Sequence, residues 1–528
     1  MDAVKAVQAQ LPGLPVSYWT VAAGLVGLYV LSKTVYRLLL HPLRKFPGPK
    51  LAAWTYWYEM YYDVFLGGQY EFQIKKLHQQ YGPIVRINPE ELHVSEPSFY
   101  AVLYTPGPNQ ENGFRVPKRH KWLRFVRLFG HQDQAFFTTA DHDLHKLRRG
   151  AVERYFNPAN VKKVEALLRE KVEIVCQRFT EEGAKGEGVP IKLGMTCLAT
   201  DIISAYAMGK SYNYLYTDDF FPEWHDIWSN VGRISVLFKP WPWLFNIVDN
   251  IPEWCAKRID KGMAASASTK REAREMILHI KDQRDKGIWK RGEHPTVFHE
   301  ALNSDLPETE KTADRLQGDG MVIIGAATET MAAVLATTIV HIIANPDVMA
   351  KLKAELKEAM PDPYDLAPLT ELEKLPYLTG VNREGLRTGF GVVTRLQRIS
   401  EAPLQFQEWS IPAGTPVSMS SSMMHTDPTI FPNPEKFDPE RWADPEESAR
   451  LYKYMVSFSK GPRQCLGINL AYAELYLTIA ALFRRFDMEL CDTTEDDVEL
   501  AADWFVPKFK RDLKEVKAYI RLAPDART

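Results

Sequence analysis

The sequence predicts a mainly α-helical protein with a small β-sheet region, built as a single large domain behind an N-terminal transmembrane helix. Three observations carry that prediction. Apolar residues recur at helical spacing through most of the chain beyond residue 120. Strand-like patches are few and come from distant parts of the chain. Residues 16–36 form an almost uninterrupted apolar run.

From Val16 to Tyr36 the one charge is Lys33, near the end of the run. A helix of about 21 residues rising about 1.5 Å each covers roughly 32 Å, enough to cross a bilayer's hydrocarbon core. Tyr18 and Trp19 stand at one rim, where amphipathic rings favour the interface, and Lys33 can extend its amine outward. Arg37, Arg44, Lys45 and Lys50 follow the run, against Lys5 alone before it. That excess places the large C-terminal body on the cytosolic side, and the basic flank argues against a cleaved signal. The segment His41–Lys50, HPLRKFPGPK, contains three prolines that fix φ. It is expected to be a stiff hinge between an anchor over 1–40 and a body over 51–528.

The body is 45% hydrophobic counted over the whole chain, enough for a substantial core, and the formal net charge of -2 does not suggest a nucleic-acid partner. Its cysteines (Cys176, Cys197, Cys255, Cys465 and Cys491) are odd in number and form no CxxC pair, which argues against a disulfide framework or a structural zinc site. Helical periodicity marks 160–180, 193–209, 312–344, 346–360 and 467–486. Ile84–Ile87 and Leu92–Val94 flank a turn at Asn88-Pro89-Glu90; Leu404–Phe406 and Val417–Met419 flank another at Pro412-Ala413-Gly414. A sheet assembled from such distant patches implies one large domain. The aromatic-rich stretch Tyr212–Trp254, with Trp224, Trp228, Trp241, Trp243 and Phe245, reads equally as a ligand route, a membrane contact or core packing.

The segment FSKGPRQCLG, Phe458 to Gly467, precedes an amphipathic helix whose apolar stripe is Ile468, Ala471, Leu475, Ile479, Leu482 and Phe486. Cys465 therefore sits at a helix start, where unpaired N–H groups and the dipole favour a thiolate. Gly461 and Gly467 leave room for a flat ligand to approach the backbone. Arg463 is a fixed cation suited to a carboxylate on that ligand, and Phe458 an apolar shield for a metal–sulfur bond. A catalytic nucleophile would look similar, but no base stands nearby in the sequence.

This segment resembles the heme-binding signature Phe-x-x-Gly-x-Arg-x-Cys-x-Gly of the cytochrome P-450 family, with every fixed position filled. The resemblance implies heme b with Cys465 as the metal ligand, an axial thiolate that pushes electron density toward O–O cleavage. Glu384-Gly385-Leu386-Arg387 is similar to the family's Glu-x-x-Arg, and Pro439-Glu440-Arg441-Trp442 to its Pro-Glu-Arg-Phe segment, with Trp442 in the Phe position. Glu384, Arg387 and Arg441 would then form a buried structural cluster holding the cysteine loop. Gly325-Ala326-Ala327-Thr328-Glu329-Thr330-Met331 resembles the oxygen-activation motif, with Ala327 where Gly is usual and Met331 where a second hydroxyl is common. Thr330 is expected to bond back to the carbonyl of Ala326 and open a groove for O2, and Glu329 to relay protons; both are the catalytic candidates. His145 and Arg149 fall in the family's Trp-x-x-x-Arg and would reach the heme propionates. Arg398 fits a third propionate cation beside Arg463, with Arg395 as the alternative.

The resemblance covers nearly the whole chain, and several segments look most like fungal secondary-metabolite members such as trichodiene-oxygenase-like enzymes. It implies a monooxygenase at the endoplasmic reticulum membrane. It would use O2 and electrons from NADPH, delivered by an NADPH–cytochrome P-450 reductase, to oxidise a bulky apolar small molecule, expected to be a terpenoid or related product. A heme-thiolate isomerase or dehydratase, and a non-catalytic membrane heme-binding protein, are the competing classes. The intact Glu329–Thr330 pair speaks against both.

Overall fold

The computed structural model describes residues 18–527 apart from 108–116, 130–134, 288–294 and all but a few positions between 230 and 260. Val16, Lys5 and Phe245 therefore lie outside the described residues.

Helix α1, Tyr18–Val35, buries none of its residues and runs on as a wider turn to Leu40. The span Tyr18–Leu40 is long and apolar enough to cross a membrane; Ala313–Ala344 passes the same test but is mostly buried inside the body. The proline segment after α1 is docked and not a free connector. Leu43 and Phe46 are buried in an apolar cluster with Ile84, Val417 and Val456. The Arg37 guanidinium donates to Trp54 O at 2.7 Å, and Trp54 Nε1 donates to Thr34 Oγ1 at 2.8 Å. The end of α1 is thereby tied to the body.

The described helices of the body include α2 Tyr70–Tyr81, α3 His142–Glu153, α4 Glu165–Ala184, α5 Ile191–Met208, α6 over 222–229, α7 Lys261–Asp285, α8 Ala313–Ala344, α9 Pro346–Ala359, α10 Pro376–Gly389 and α11 Ile468–Arg485. Local chemistry sets their ends. Asp141 caps α3 by accepting from Leu144 N at 2.8 Å, Gly209 closes α5 in the left-handed region at φ 71°, and Pro346 starts α9 where no N–H is needed. The expected helix over 160–180 is interrupted at Val164, between a short helix Pro158–Lys163 and α4. The others agree with the periodicity to within a few residues.

The strands are β1 Ile84–Arg86, β2 Leu92–Val94, β3 Arg119–His120, β4 Val189–Pro190, β5 Arg398–Ser400, β6 Leu404–Phe406, β7 Trp409–Ile411, β8 Pro416–Ser418, β9 Phe486–Cys491, β10 Leu500–Trp504, β11 Val506–Phe509 and β12 Lys517–Leu522. The main sheet runs β1-β2-β8-β5-β3, joining strands from both ends of the chain, as expected of one domain. The patches on either side of the Pro412 turn are not partners, and a further strand, β7, lies between them. β6 does not face β8 across the Pro412 turn; it pairs with β7, Leu404 opposite Ile411, while β8 pairs with β5 and runs parallel to β2. The turn residues are local, but the partner of a three-residue strand is chosen by the sheet around it. The β10–β11 hairpin carries Phe505 at its tip, at φ 71°.

The largest apolar cluster fills the space between α4, α5, α8, α10 and α11. α8 runs through it, and most of its residues are buried.

Candidate active site

α8, α11, the cysteine loop and the hairpin tip enclose a cavity of about 1100 Å³. Cys465 lines one part of it; Gly325, Ala326, Ala327, Glu329 and Thr330 of α8 line another.

In the loop, a short turn Gly461–Arg463 brings Gln464 N onto Gly461 O at 2.9 Å, and Cys465 N donates to Phe458 O at 2.9 Å. Gly461 has φ 73°, and a side chain there would run into the carbonyl of Tyr104, so this position needs Gly. Phe458 lines the cavity and packs on Tyr472 with ring centroids 5.5 Å apart. Cys465 is open to the cavity, yet the protein around it withdraws its thiol from bulk water and pushes it up, opposed by the Gly467 N–H and by Arg149. A metal ion would reverse that balance, since a coordinating thiol loses its proton. Gly467 precedes α11, and nothing stands within 4 Å of where its Cβ would be.

Around the cavity stands a set of basic groups that crowd one another. Lys121, His145, Arg149 and Arg463 line it. Burial pushes Lys121 well below the usual amine range, with Arg463 and Arg398 adding to the effect. Burial and then Arg398 bring Arg463 down to about 9, with Asp141 opposing. His145 is held at about 2 by burial and by Arg463, Lys121, Arg149 and Arg398, so its ring is neutral. Arg463 donates to the carbonyls of Thr139 (2.7 Å), Ala140 (2.9 Å) and Asp141 (3.1 Å), while its buried Nε has no partner among the described residues. Arg149 donates to Gln464 O at 2.6 Å and pairs with Glu153 at 3.1 Å. Arg398 is buried with its guanidinium 4.9 Å over the Tyr104 ring and one N–H on Gln397 O at 3.0 Å. Mutually repelling cations at a cavity wall need an anion, and the carboxylates of a heme edge meet that need.

The alternative cation, Arg395, is excluded by its surroundings. It is buried between Glu59, at 2.6 Å, and Glu91, at 3.1 Å, and serves the packing of the sheet. Lys121 was not singled out from the sequence. It stands in a loop after β3 with its amine 3.6 Å over the Phe137 ring, and no spacing rule connects it to Cys465.

On α8, Thr330 Oγ1 donates to Ala326 O at 2.8 Å, the back-bond expected from the motif. Glu329 is not a free acid. The fully buried Lys192 of α5 holds its Oε1 at 3.0 Å and also reaches its carbonyl at 3.3 Å, while Oε2 is buried without a partner among the described residues. Burial lowers the Lys192 pKa, and the Glu329 charge opposes that fall. The sequence does carry a trace of this pair: Lys192 is the one amine in a helix of mostly apolar and small residues, where only a partner can offset its burial.

Behind the loop, Glu384 is completely buried and its carboxylate is saturated. It accepts from Arg387 Nε (3.0 Å) and Nη2 (2.7 Å), Arg441 Nε (3.0 Å), Asp438 N (3.0 Å) and Trp442 Nε1 (2.9 Å). The last contact explains Trp442: its indole N–H supplies a donor that Phe lacks. Arg387 also donates to the carbonyls of His425 (2.9 Å) and Pro434 (2.7 Å). The cluster thus ties α10 to the chain that leads into the cysteine loop.

A thiol just before a helix start, a set of crowded cations and a threonine bonded back to its own helix fit a sulfur-held metal macrocycle that handles O2. Comparison with known proteins agrees. The family model for Cytochrome P-450 matches residues 47–509. The chain is 41% identical to the N-acetyltryptophan 6-hydroxylase ivoC of Emericella nidulans, covering 93% of this chain and 94% of that one. It is 39% identical to the tryptophan 6-hydroxylase fscE of Fusarium equiseti (93% and 94% covered) and 36% identical to the cytochrome P-450 monooxygenase TRI4 of Fusarium sporotrichioides (93% and 92%). This chain belongs to the cytochrome P-450 family. It is an oxidoreductase of the monooxygenase kind, and the family carries heme iron on a thiolate with electrons from NADPH through a reductase.

Proposed function

We propose that this chain is a membrane-anchored heme-thiolate monooxygenase with Cys465 as the iron ligand, oxidising an apolar small molecule in fungal secondary metabolism. The observation that carries the reading is one cavity bounded both by the Cys465 loop and by Thr330 of α8, bonded back to Ala326. When bound, heme supplies O2 binding and reductive O–O cleavage.

The chain's own groups do the rest. The Gly467 N–H and Arg149 stabilise the Cys465 thiolate, and Phe458 keeps water from it. Lys121, Arg149, Arg398 and Arg463 would offset the charges of bound propionates, with neutral His145 as a further hydrogen-bond partner. Thr330 spends its proton on Ala326 O, so its oxygen accepts from a water in the groove. Lys192 occupies one oxygen of Glu329, which leaves Oε2 to exchange protons with that water. Phe129, Phe137, Ile203 and Phe505 wall the cavity against bulk solvent. The anchor holds the body on the cytosolic face of the endoplasmic reticulum, beside its reductase.

Resemblance to trichodiene-oxygenase-like enzymes favours a terpenoid substrate. A second reading, an aromatic substrate related to tryptophan, is supported by the relatives named for tryptophan hydroxylation. The test is spectroscopic. The reduced, CO-treated protein should show the thiolate-type red-shifted Soret band, Cys465→Ser should lose it, and turnover should require O2. Retention of the band in Cys465→Ser refutes the ligand assignment, and oxygen-independent turnover favours an isomerase.

A further inference from the structure

α6 is keyed to α8 at two points one helical turn apart. Trp224, wholly buried, donates its indole N–H to Thr200 Oγ1 at 3.0 Å, and Thr200 Oγ1 lies 3.1 Å from Thr328 Oγ1 on α8. Four residues on, the benzo edge of Trp228 lies against Gly325. A Cβ built there would come within 2.5 Å of Trp228 Cη2 and 2.7 Å of Cε3, so only glycine leaves the indole its place. The two indoles meet edge to face with centroids 5.6 Å apart, the first buttressing the second. α6 is held again by Asp226, 2.8 Å from Lys514, and by His225, 3.6 Å from Asp512. Trp228 is therefore a fixed wall.

That wall belongs to the cavity. Gly325 and Trp228 both line it, and Gly325 is the residue before Ala326, whose carbonyl takes the Thr330 hydroxyl. Trp228 Nε1 is buried and has no hydrogen-bond partner among the described residues. An orphan N–H inside a protein favours any ligand that brings it an acceptor. An indole face favours a flat ring over a branched group, because planar surfaces meet over their whole area.

We propose that Trp228, seated on Gly325, is a specificity-determining residue that admits to the Thr330 groove a planar ring bearing a hydrogen-bond acceptor and turns away branched bulk. The proposal rests on the monooxygenase reading and narrows its substrate class. No rule of helical spacing links Trp228 to Gly325, since they lie on different helices.

The test uses the heme-loaded full chain and spectral titration with iron-binding imidazoles of graded shape: phenylimidazole, its acetylphenyl analogue and tritylimidazole. Trp228→Ala should bind tritylimidazole about tenfold more tightly and phenylimidazole about tenfold more weakly, the scale of one aromatic packing contact. Trp228→Phe should still reject the trityl probe but lose any preference for the acetyl carbonyl. Gly325→Ala should imitate Trp228→Ala by displacing the indole, and adding it to Trp228→Ala should change neither affinity. Unchanged shape selectivity in Trp228→Ala, or a Gly325→Ala effect that persists without the indole, overturns the proposal. A carbonyl preference surviving in Trp228→Phe overturns its acceptor half. The CO band of each variant separates lost heme from altered fit. Absence of that band in the unmutated protein overturns the monooxygenase reading instead.

Discussion

Replacing Trp442 by Phe removes one donor from the Glu384 carboxylate and little else. The indole N–H lies 2.9 Å from Glu384 Oε2, inside a site where Glu384 is fully buried. A hydrogen bond to a charged group contributes about 1.5–3 kcal/mol. The arginine N–H groups and Asp438 N still satisfy the carboxylate, so the loss should fall near the low end of that range. Arg387→Ala is a different perturbation. It removes the counter-charge 2.7 Å from Glu384 and leaves the carbonyls of His425 and Pro434 without their donor. Removing one partner of a buried pair costs about 3–5 kcal/mol, against a typical domain stability of about 5–15 kcal/mol, and leaves Arg441, at 3.0 Å, as the remaining counter-charge. Trp442→Phe should therefore fold, load heme and unfold at a modestly lower denaturant concentration. Arg387→Ala should yield mostly heme-free or insoluble chain. The assay is heme content per chain, followed by loss of the heme band in rising urea. Equal losses in the two variants, or none in either, would refute this division of the carboxylate's partners.

Three further outcomes are expected. His425 accepts from Val456 N at 3.0 Å through Nε2, so it is neutral, and burial and Arg387 bring its pKa down to about 3. Because the folded value lies below the unfolded 6.5, its contribution is complete above pH 6.5 and lost as pH falls toward 3, roughly 2 kcal/mol by pH 5; His425→Gln should flatten that part of the stability–pH curve, and an unchanged slope refutes the assignment. Thr330→Ala should keep heme and ligand binding yet divert NADPH and O2 into hydrogen peroxide, measured as product per NADPH; unchanged coupling means another group guides the proton. Deleting the residues before His41 should release much of the protein from washed membranes, and protection of the body from protease in sealed microsomes would overturn the cytosolic orientation.

What the sequence determined by itself is whatever lies within one element or one loop. A run of apolar residues states its own length, so a helix long enough to span a membrane was legible. Gly461, Arg463 and Cys465 sit in ten consecutive residues whose turn follows from their backbone preferences. Thr330 and Ala326 are four apart on one helix, and Glu384 and Arg387 three apart, so helical geometry alone brings each pair together. Tertiary structure decided everything that depends on which distant face arrives alongside. Lys192 reaches Glu329 across two helices, Arg395 is diverted to Glu59 and Glu91 while Arg398 joins the cation set, and β6 takes β7 instead of β8. Gly325 shows the division most plainly. Along the chain it is one more small residue in a helix, and only the indole packed against it explains why no side chain can stand there. Periodicity encodes separation along an element; which neighbour covers that element is settled by packing the whole core at once.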